Sequence, residues 1–166
     1  MVPSGLHLIN PLQLAERQER LAGTIRLRAL KRIRDVLHDD TGSVKYEFHF
    51  SKDEQGVVVV QGEFSVDLKV KCQRCMGPMN LPISGKIHLG VVNSYMAQEF
   101  PGRYEPLILT GNETSLEALL EEEILLALPI APVHEREDCI GSRTVDEYKP
   151  EHGSPFTVLK DLKIDK

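Results

Sequence analysis

The sequence predicts an α+β fold, a single domain in which an antiparallel β-meander is packed by helices. Three observations predict it. Residues 44–91 alternate apolar and polar side chains, interrupted only by short polar breaks. Residues 116–128 carry a helical apolar stripe that Pro129 closes. The breaks between the alternating runs are too short for the helical crossovers that parallel strands need. A chain of 166 residues with 41% hydrophobic and 27% charged residues fits one soluble globular domain and excludes wholesale disorder or a coiled-coil rod.

Residues 1–38 are assigned as a basic helical N-terminal segment. Asn10 can cap a helix whose first position is Pro11, Gln13 can return a bond to the cap, and Gly23 is a natural stop. Thr24–Arg28 alternates like a short strand, whereas Leu30, Ile33 and Leu37 follow helical spacing, so this stretch can be read either way. Residues 43–110 are assigned to the sheet. Val44, Tyr46, Phe48 and Phe50 face one side, Val57–Val60 is a β-branched run, and Phe64, Val66, Leu68, Val70 and Cys72 alternate again. A tight turn over Cys72–Pro78 leads into Leu81, Ile83, Ile87, Leu89 and Val91, with Gly85 predicted to mark a bulge. Tyr95–Tyr104 reads as loop or short helix, and Leu107–Leu109 as a brief strand. Residues 114–128 form an acidic helix begun by a capping box, Thr114 to Glu117. Residues 129–166 read as a constrained loop and a short C-terminal helix from Ser154-Pro155, with Phe156 and Leu159 inward.

The longest apolar run, Ile124–Val133, is about half of what a membrane helix needs and holds two prolines. Met1–Asn10 lacks the basic start and apolar centre of a secretory signal, and three cysteines is an odd count, so a cytoplasmic protein with reduced thiols is expected. The net charge of −5 argues against indiscriminate coating of nucleic acid. Its distribution is uneven, however. Between Glu16 and Arg34 seven bases stand against two acids, a local +5, while Glu113, Glu117, Glu121, Glu122 and Glu123 form an acidic block. Either a basic RNA-binding face on an acidic body or two solvated helix faces would produce that pattern.

No phosphate-binding glycine loop, dinucleotide fingerprint or nucleophile elbow is present. His134-Glu135 opens like a zinc-protease helix, but Asp138 stands where the second histidine belongs. The local motif with chemical content is Cys72-Gln73-Arg74-Cys75, a strand running into a C-x-x-C turn. Two thiolates at this spacing can chelate one zinc, and His134 with Cys139 would complete a tetrahedral set. The competing reading, which the ligand count favours, has Cys72 and Cys139 as small apolar packing side chains. A redox dithiol fits less well, because Met76-Gly77-Pro78 argues for a turn and not a helix after the pair.

The run Val70–Cys75, the tripeptide Tyr104-Glu105-Pro106, the segment Glu121–His134 containing Leu128-Pro129-Ile130-Ala131-Pro132-Val133-His134, then Cys139 and the closing Ser154–Lys163, together resemble the bacterial YceD family of large ribosomal RNA subunit accumulation proteins. The resemblance implies a small cytoplasmic factor without enzymatic activity that supports 23S rRNA accumulation or processing in large-subunit assembly. Some relatives carry a further cysteine shortly after the position of Cys139, giving two pairs that look like a zinc site. Here Ile140-Gly141-Ser142-Arg143 follows, which leaves His134 as the nearby substitute. The expected partner is precursor rRNA or a ribosomal protein. Candidate RNA-binding residues are Arg17, Arg20, Arg26, Arg28, Lys31, Arg32, Arg34 and Arg74. An alternative is an adaptor that makes no RNA contact and recognises a basic ribosomal protein through the Glu113–Glu123 face. A third, an RNA-processing nuclease or thiol enzyme, lacks a carboxylate cluster or a closely spaced His–Cys pair in the sequence.

Overall fold

The computed structural model describes residues 7–93, 102–135 and 139–140. The expected C-terminal helix and most of the Tyr95–Tyr104 segment lie outside these residues. A six-stranded sheet is built from β2 (Arg20–Arg26), β3 (Leu37–Asp39), β4 (Ser43–Lys52), β5 (Val58–Lys71), β6 (Pro78–Asn93) and β7 (Glu105–Leu109). The order is β2-β4-β5-β6-β7, with β3 on the far end of β5 beyond the reach of β4. A two-residue strand β1 (Leu8–Ile9) pairs with β8 (Thr114–Ser115), and the helices are α1 (Pro11–Glu16) and α2 (Leu116–Ala127).

β4, β5 and β6 pair antiparallel, as their short connections demand, and β2 also pairs antiparallel with β4, whereas β7 joins β6 in parallel and makes the sheet mixed. The α+β class holds, and the meander gains one parallel edge. Alternation is carried through to burial. Val60, Phe64, Val66, Leu68, Val70 and Cys72 face inward along β5, while Gln61, Glu63, Ser65, Asp67, Lys69 and Lys71 face solvent. Leu116, Leu119, Leu120 and Ile124 of α2 close the inner face over Phe48, Phe50 and Ile87 as part of one hydrophobic cluster.

The N-terminal segment is mostly not helical. α1 starts as expected, with the Asn10 side chain accepting from the Gln13 N–H at 3.1 Å and Pro11 in the first turn. It ends at Glu16, where Gln18 turns left-handed (φ 51°) and the Glu19 N–H closes onto the Leu14 carbonyl. Residues from Arg20 then form an edge strand, because Leu21 and Ile25 keep a period of two against Phe48 and Val44 of β4. Leu27, Leu30 and Ile33, spaced by three, are fully buried from a chain that makes two 3-10 turns, Leu27–Ala29 and Arg34–Val36. A repeat of three suits a 3-10 turn better than the 3.6 of an α-helix. Gly85 is no bulge either, since β5 and β6 stay in register through it. A Cβ there would come within 2.6 Å of the Phe64 ring, which occupies the space above the glycine.

Candidate metal centre and basic surface

β5 and β6 are joined by the C-x-x-C turn, and the backbone folds the chain around a sulfur. The Cys72 N–H donates to the Gly77 carbonyl and the Met76 N–H to the Cys72 carbonyl, both at 2.9 Å. Met76 is left-handed (φ 61°), a conformation that costs a non-glycine residue about 1–2 kcal/mol and turns the chain back in one step. The Arg74 N–H then points at Cys72 Sγ at 3.4 Å, and Cys75 is brought to the same side. The loop after α2 arrives from the other direction. Pro132 accepts from the Gln73 N–H at 2.8 Å, and the His134 N–H reaches Cys72 Sγ at 3.5 Å.

The result is one cluster. The ligand atoms of Cys72, Cys75, His134 and Cys139 all lie within 4.8 Å of one another. Cys72 Sγ is 3.9 Å from Cys139 Sγ, and Cys75 Sγ is 3.4 Å from His134 Nδ1. With Zn–S near 2.3 Å and Zn–N near 2.0 Å, tetrahedral edges come to about 3.8 Å for S···S and about 3.5 Å for S···N. The donor set fits such an ion. His134 Nε2 stands 3.0 Å from the Pro78 carbonyl, which can only accept, so Nε2 carries the proton and Nδ1 presents its lone pair to the cluster.

The protonation pattern follows from crowding. Burial is the largest single influence on Cys72 and raises it, but the N–H groups of Cys75, His134 and Arg74 together outweigh burial and lower its thiol to about 5. At Cys75 the Gly77 N–H lowers the value, yet burial and the sulfurs of Cys72 and Cys139 prevail and hold it above the ordinary thiol. His134 is raised, first by its bond to the Pro78 carbonyl and then by Cys139 and Cys72. One thiolate forms readily here. Ionising its neighbours as well calls for a cation.

The candidate RNA-binding residues do not form one patch. All eight are exposed, but β2 runs from Arg20 opposite His49 to Arg26 opposite Ser43, which separates the two arginines by about 20 Å. Arg17 stays with Arg20 and pairs with Glu19 at 3.4 Å. Arg28, Lys31, Arg32 and Arg34 lie on the loop between β2 and β3, and Arg74 lies on the cysteine turn.

Two of the five glutamates of the acidic block are not solvated. Glu117 and Glu121 are only 5% and 6% exposed. Glu117 accepts from the His7 backbone N–H at 3.0 Å, meets His7 Nδ1 at 2.5 Å and takes the Ser115 hydroxyl at 2.9 Å. Glu121 accepts from the Arg32 N–H at 2.6 Å. Both carboxylates therefore hold the N-terminal chain onto α2. The signal for this was their spacing, since positions 117, 121 and 124 share one helical face with Leu120 beside them. Burial raises Glu117 most, but its bonds to His7, Ser115 and the helix N–H groups bring it below the ordinary glutamate value of 4.5.

A depressed folded value means that Glu117 contributes stability fully above the unfolded value and loses it as pH falls through the folded one. Amides of the chain around His7–Ile9 and the Leu116 N–H, which donates to the His7 carbonyl, should lose exchange protection on acidification below the ordinary glutamate value. Glu117→Gln should remove that acid step. A step that persists in the variant would assign it to another carboxylate.

A protein-family model described as "Large ribosomal RNA subunit accumulation protein YceD" matches residues 60–163. The chain belongs to the YceD family. A protein of Haemophilus influenzae named "Large ribosomal RNA subunit accumulation protein YceD" is 28% identical over 163 residues, covering 93% of this chain and 94% of that protein. No solved structure matches the chain. The YceD-family match includes all four residues of the candidate metal cluster, as well as the basic Lys71 and Arg74, but it begins after the β2–β3 loop.

Proposed function

We propose that this protein supports 23S rRNA accumulation in large-subunit assembly as a non-enzymatic cytoplasmic factor. The observation that carries the proposal is family membership, with a family model over residues 60–163 and a relative of the same name similar over 93% of the chain. In this reading Cys72, Cys75, His134 and Cys139 hold one zinc, whose chemistry is structural. With four protein donors no position is left open for substrate or water. Arg26 at the end of β2 and the bases of the β2–β3 loop contact rRNA phosphates, since the planar guanidinium matches the phosphate fork.

The other readings lose ground. An adaptor face over Glu113–Glu123 is left with three carboxylates, because Glu117 and Glu121 are buried and engaged. Cys75 and His134 stand within reach of each other, but the sulfurs of Cys72 and Cys139 share the same cluster, which suits a four-donor ion better than an isolated thiol–imidazole pair. The test is depletion of the protein in growing cells, with 23S rRNA and 50S particles quantified by sucrose gradient. Both should fall relative to 16S rRNA and 30S particles, and normal 50S yield would overturn the proposal.

A further inference from the structure

We infer that the β2–β3 loop and the cysteine turn form one continuous phosphate-binding surface for RNA, so the metal centre is part of the RNA-contacting end of the molecule. The inference rests on the rRNA contact proposed above and specifies where it is made. The sequence separates the two groups of bases by some forty residues, and the fold reunites them. Leu37, which ends the loop, pairs with Val70, two residues before Cys72. The loop therefore runs out where the turn begins, and Arg28, Lys31, Arg32 and Arg34 come to the same end of the sheet as Lys71 and Arg74. All six are exposed.

Both parts are fastened to the same strut. Glu121 on α2 holds the Arg32 N–H, and the chain just beyond α2 holds the turn through the Pro132 carbonyl and the Gln73 N–H. Leu30 and Ile33 are fully buried beneath the loop, and Arg34 donates to the Arg28 carbonyl at 3.3 Å. The bases are thus carried on a frame ordered before binding, which lowers the entropy that binding must overcome. Over residues 28–40 and 69–74 seven bases face three acids, a local +4 on a chain of net −5. Asp39 and Lys69 pair at 3.0 Å and cancel, which leaves the other six bases against two acids and the same +4. No aromatic residue belongs to the set, so the contact is to the phosphate backbone and not to stacked bases.

The test is fluorescence anisotropy of the full chain with a labelled RNA hairpin of about thirty nucleotides, over a salt series. Each phosphate contact contributes about 0.7–0.9 to the slope of log affinity against log salt, so Lys71→Ala/Arg74→Ala should flatten the slope by about 1.5 and weaken binding roughly tenfold. Arg28→Ala/Arg34→Ala should do the same. Arg17→Ala/Arg20→Ala, at the opposite end of β2, should change affinity less than about twofold. Circular dichroism and metal content are measured on every variant to confirm that the fold and the cysteine turn persist. If the loop variant weakens binding but the turn variant does not, the shared surface is wrong and the rRNA reading stands. An equal loss from Arg17→Ala/Arg20→Ala would reduce the effect to net charge and overturn the surface. If the wild-type chain binds no RNA, the proposed rRNA contact falls with it.

Discussion

Cys72→Ser should purify with less than about a tenth of an equivalent of zinc, against one equivalent for the wild-type chain prepared without chelators. Cys72 is fully buried, as Cys139 is, and stands at the centre of the set's hydrogen bonds. Its sulfur takes the Arg74 and His134 N–H groups and lies against Cys139. A serine hydroxyl does not ionise near neutral pH and leaves three donors for a four-coordinate ion. Structural zinc contributes about 10–16 kcal/mol of apparent binding free energy in finger peptides, where metal and folding are one event. Here the sheet and α2 have a hydrophobic cluster of their own, so the loss should be local. Hydrogen exchange should accelerate at Gln73 and Met76, whose amides are held by Pro132 and Cys72, while the Phe48 and Val60 amides keep their protection. Chelation of the wild-type protein should reproduce the pattern. A zinc-free wild-type protein would leave Cys72 and Cys139 as packing residues only, and the same substitution would then cost no more than a small core change.

Much of this centre could be read from the chain, and the reason is chemical. Cysteine and histidine are rare enough that Cys72, Cys75, His134 and Cys139 stood out as a donor set. What the sequence could not supply was the approach of two segments with 58 residues between Cys75 and His134, an approach that the bond between Gln73 and Pro132 helps to fix. The central strands were legible because alternation translates directly into one wet and one dry face. The N-terminal segment was not, because Leu27, Leu30 and Ile33 are spaced by three, a repeat that a short window cannot separate from a helix. β7 was expected as a strand, but its parallel pairing with β6 depends on a connection through residues 94–104 whose length permits either direction. Glu117 and Glu121 misled because carboxylates are nearly always solvated, and only tertiary structure reveals that each has a backbone N–H to accept from. Glu121 and the basic loop are therefore one feature. The acids do not merely balance the nearby positive charge, since Glu121 fixes the backbone that carries it.

The largest purely structural effect is expected from Gly62→Ala. Gly62 lies opposite Phe48 in β4 and Ile87 in β6, at the middle of the sheet on its inner side. A Cβ on this residue would run into the Glu47 carbonyl oxygen and stand 2.7 Å from Phe48 Cδ1 and 2.9 Å from Phe48 Cα. Two of these obstacles are backbone, so no rotamer change relieves them, and β4 must move away from β5. Overpacking in a core costs about 1–3 kcal/mol where side chains can yield, and this site should exceed that range. For a chain of this size the melting temperature should fall by about 10 °C or more. Gly56→Ala provides the contrast. Its φ of 81° disfavours a side chain, but nothing lies within 4 Å, so only the backbone term of about 1–2 kcal/mol applies. Gly85→Ala should fall between them, because the atoms it meets belong to the Phe64 ring, which is buried but not backbone. Thermal unfolding of the three variants should therefore rank Gly62 as costliest and Gly56 as cheapest. Since β5 also delivers Val70 and Cys72 to the turn, the folded fraction of Gly62→Ala should still bind zinc. A Gly62 variant more stable than the Gly56 variant would mean that β4 and β5 are not apposed in this way, and the register that carries β5 into the cysteine turn would have to be redrawn.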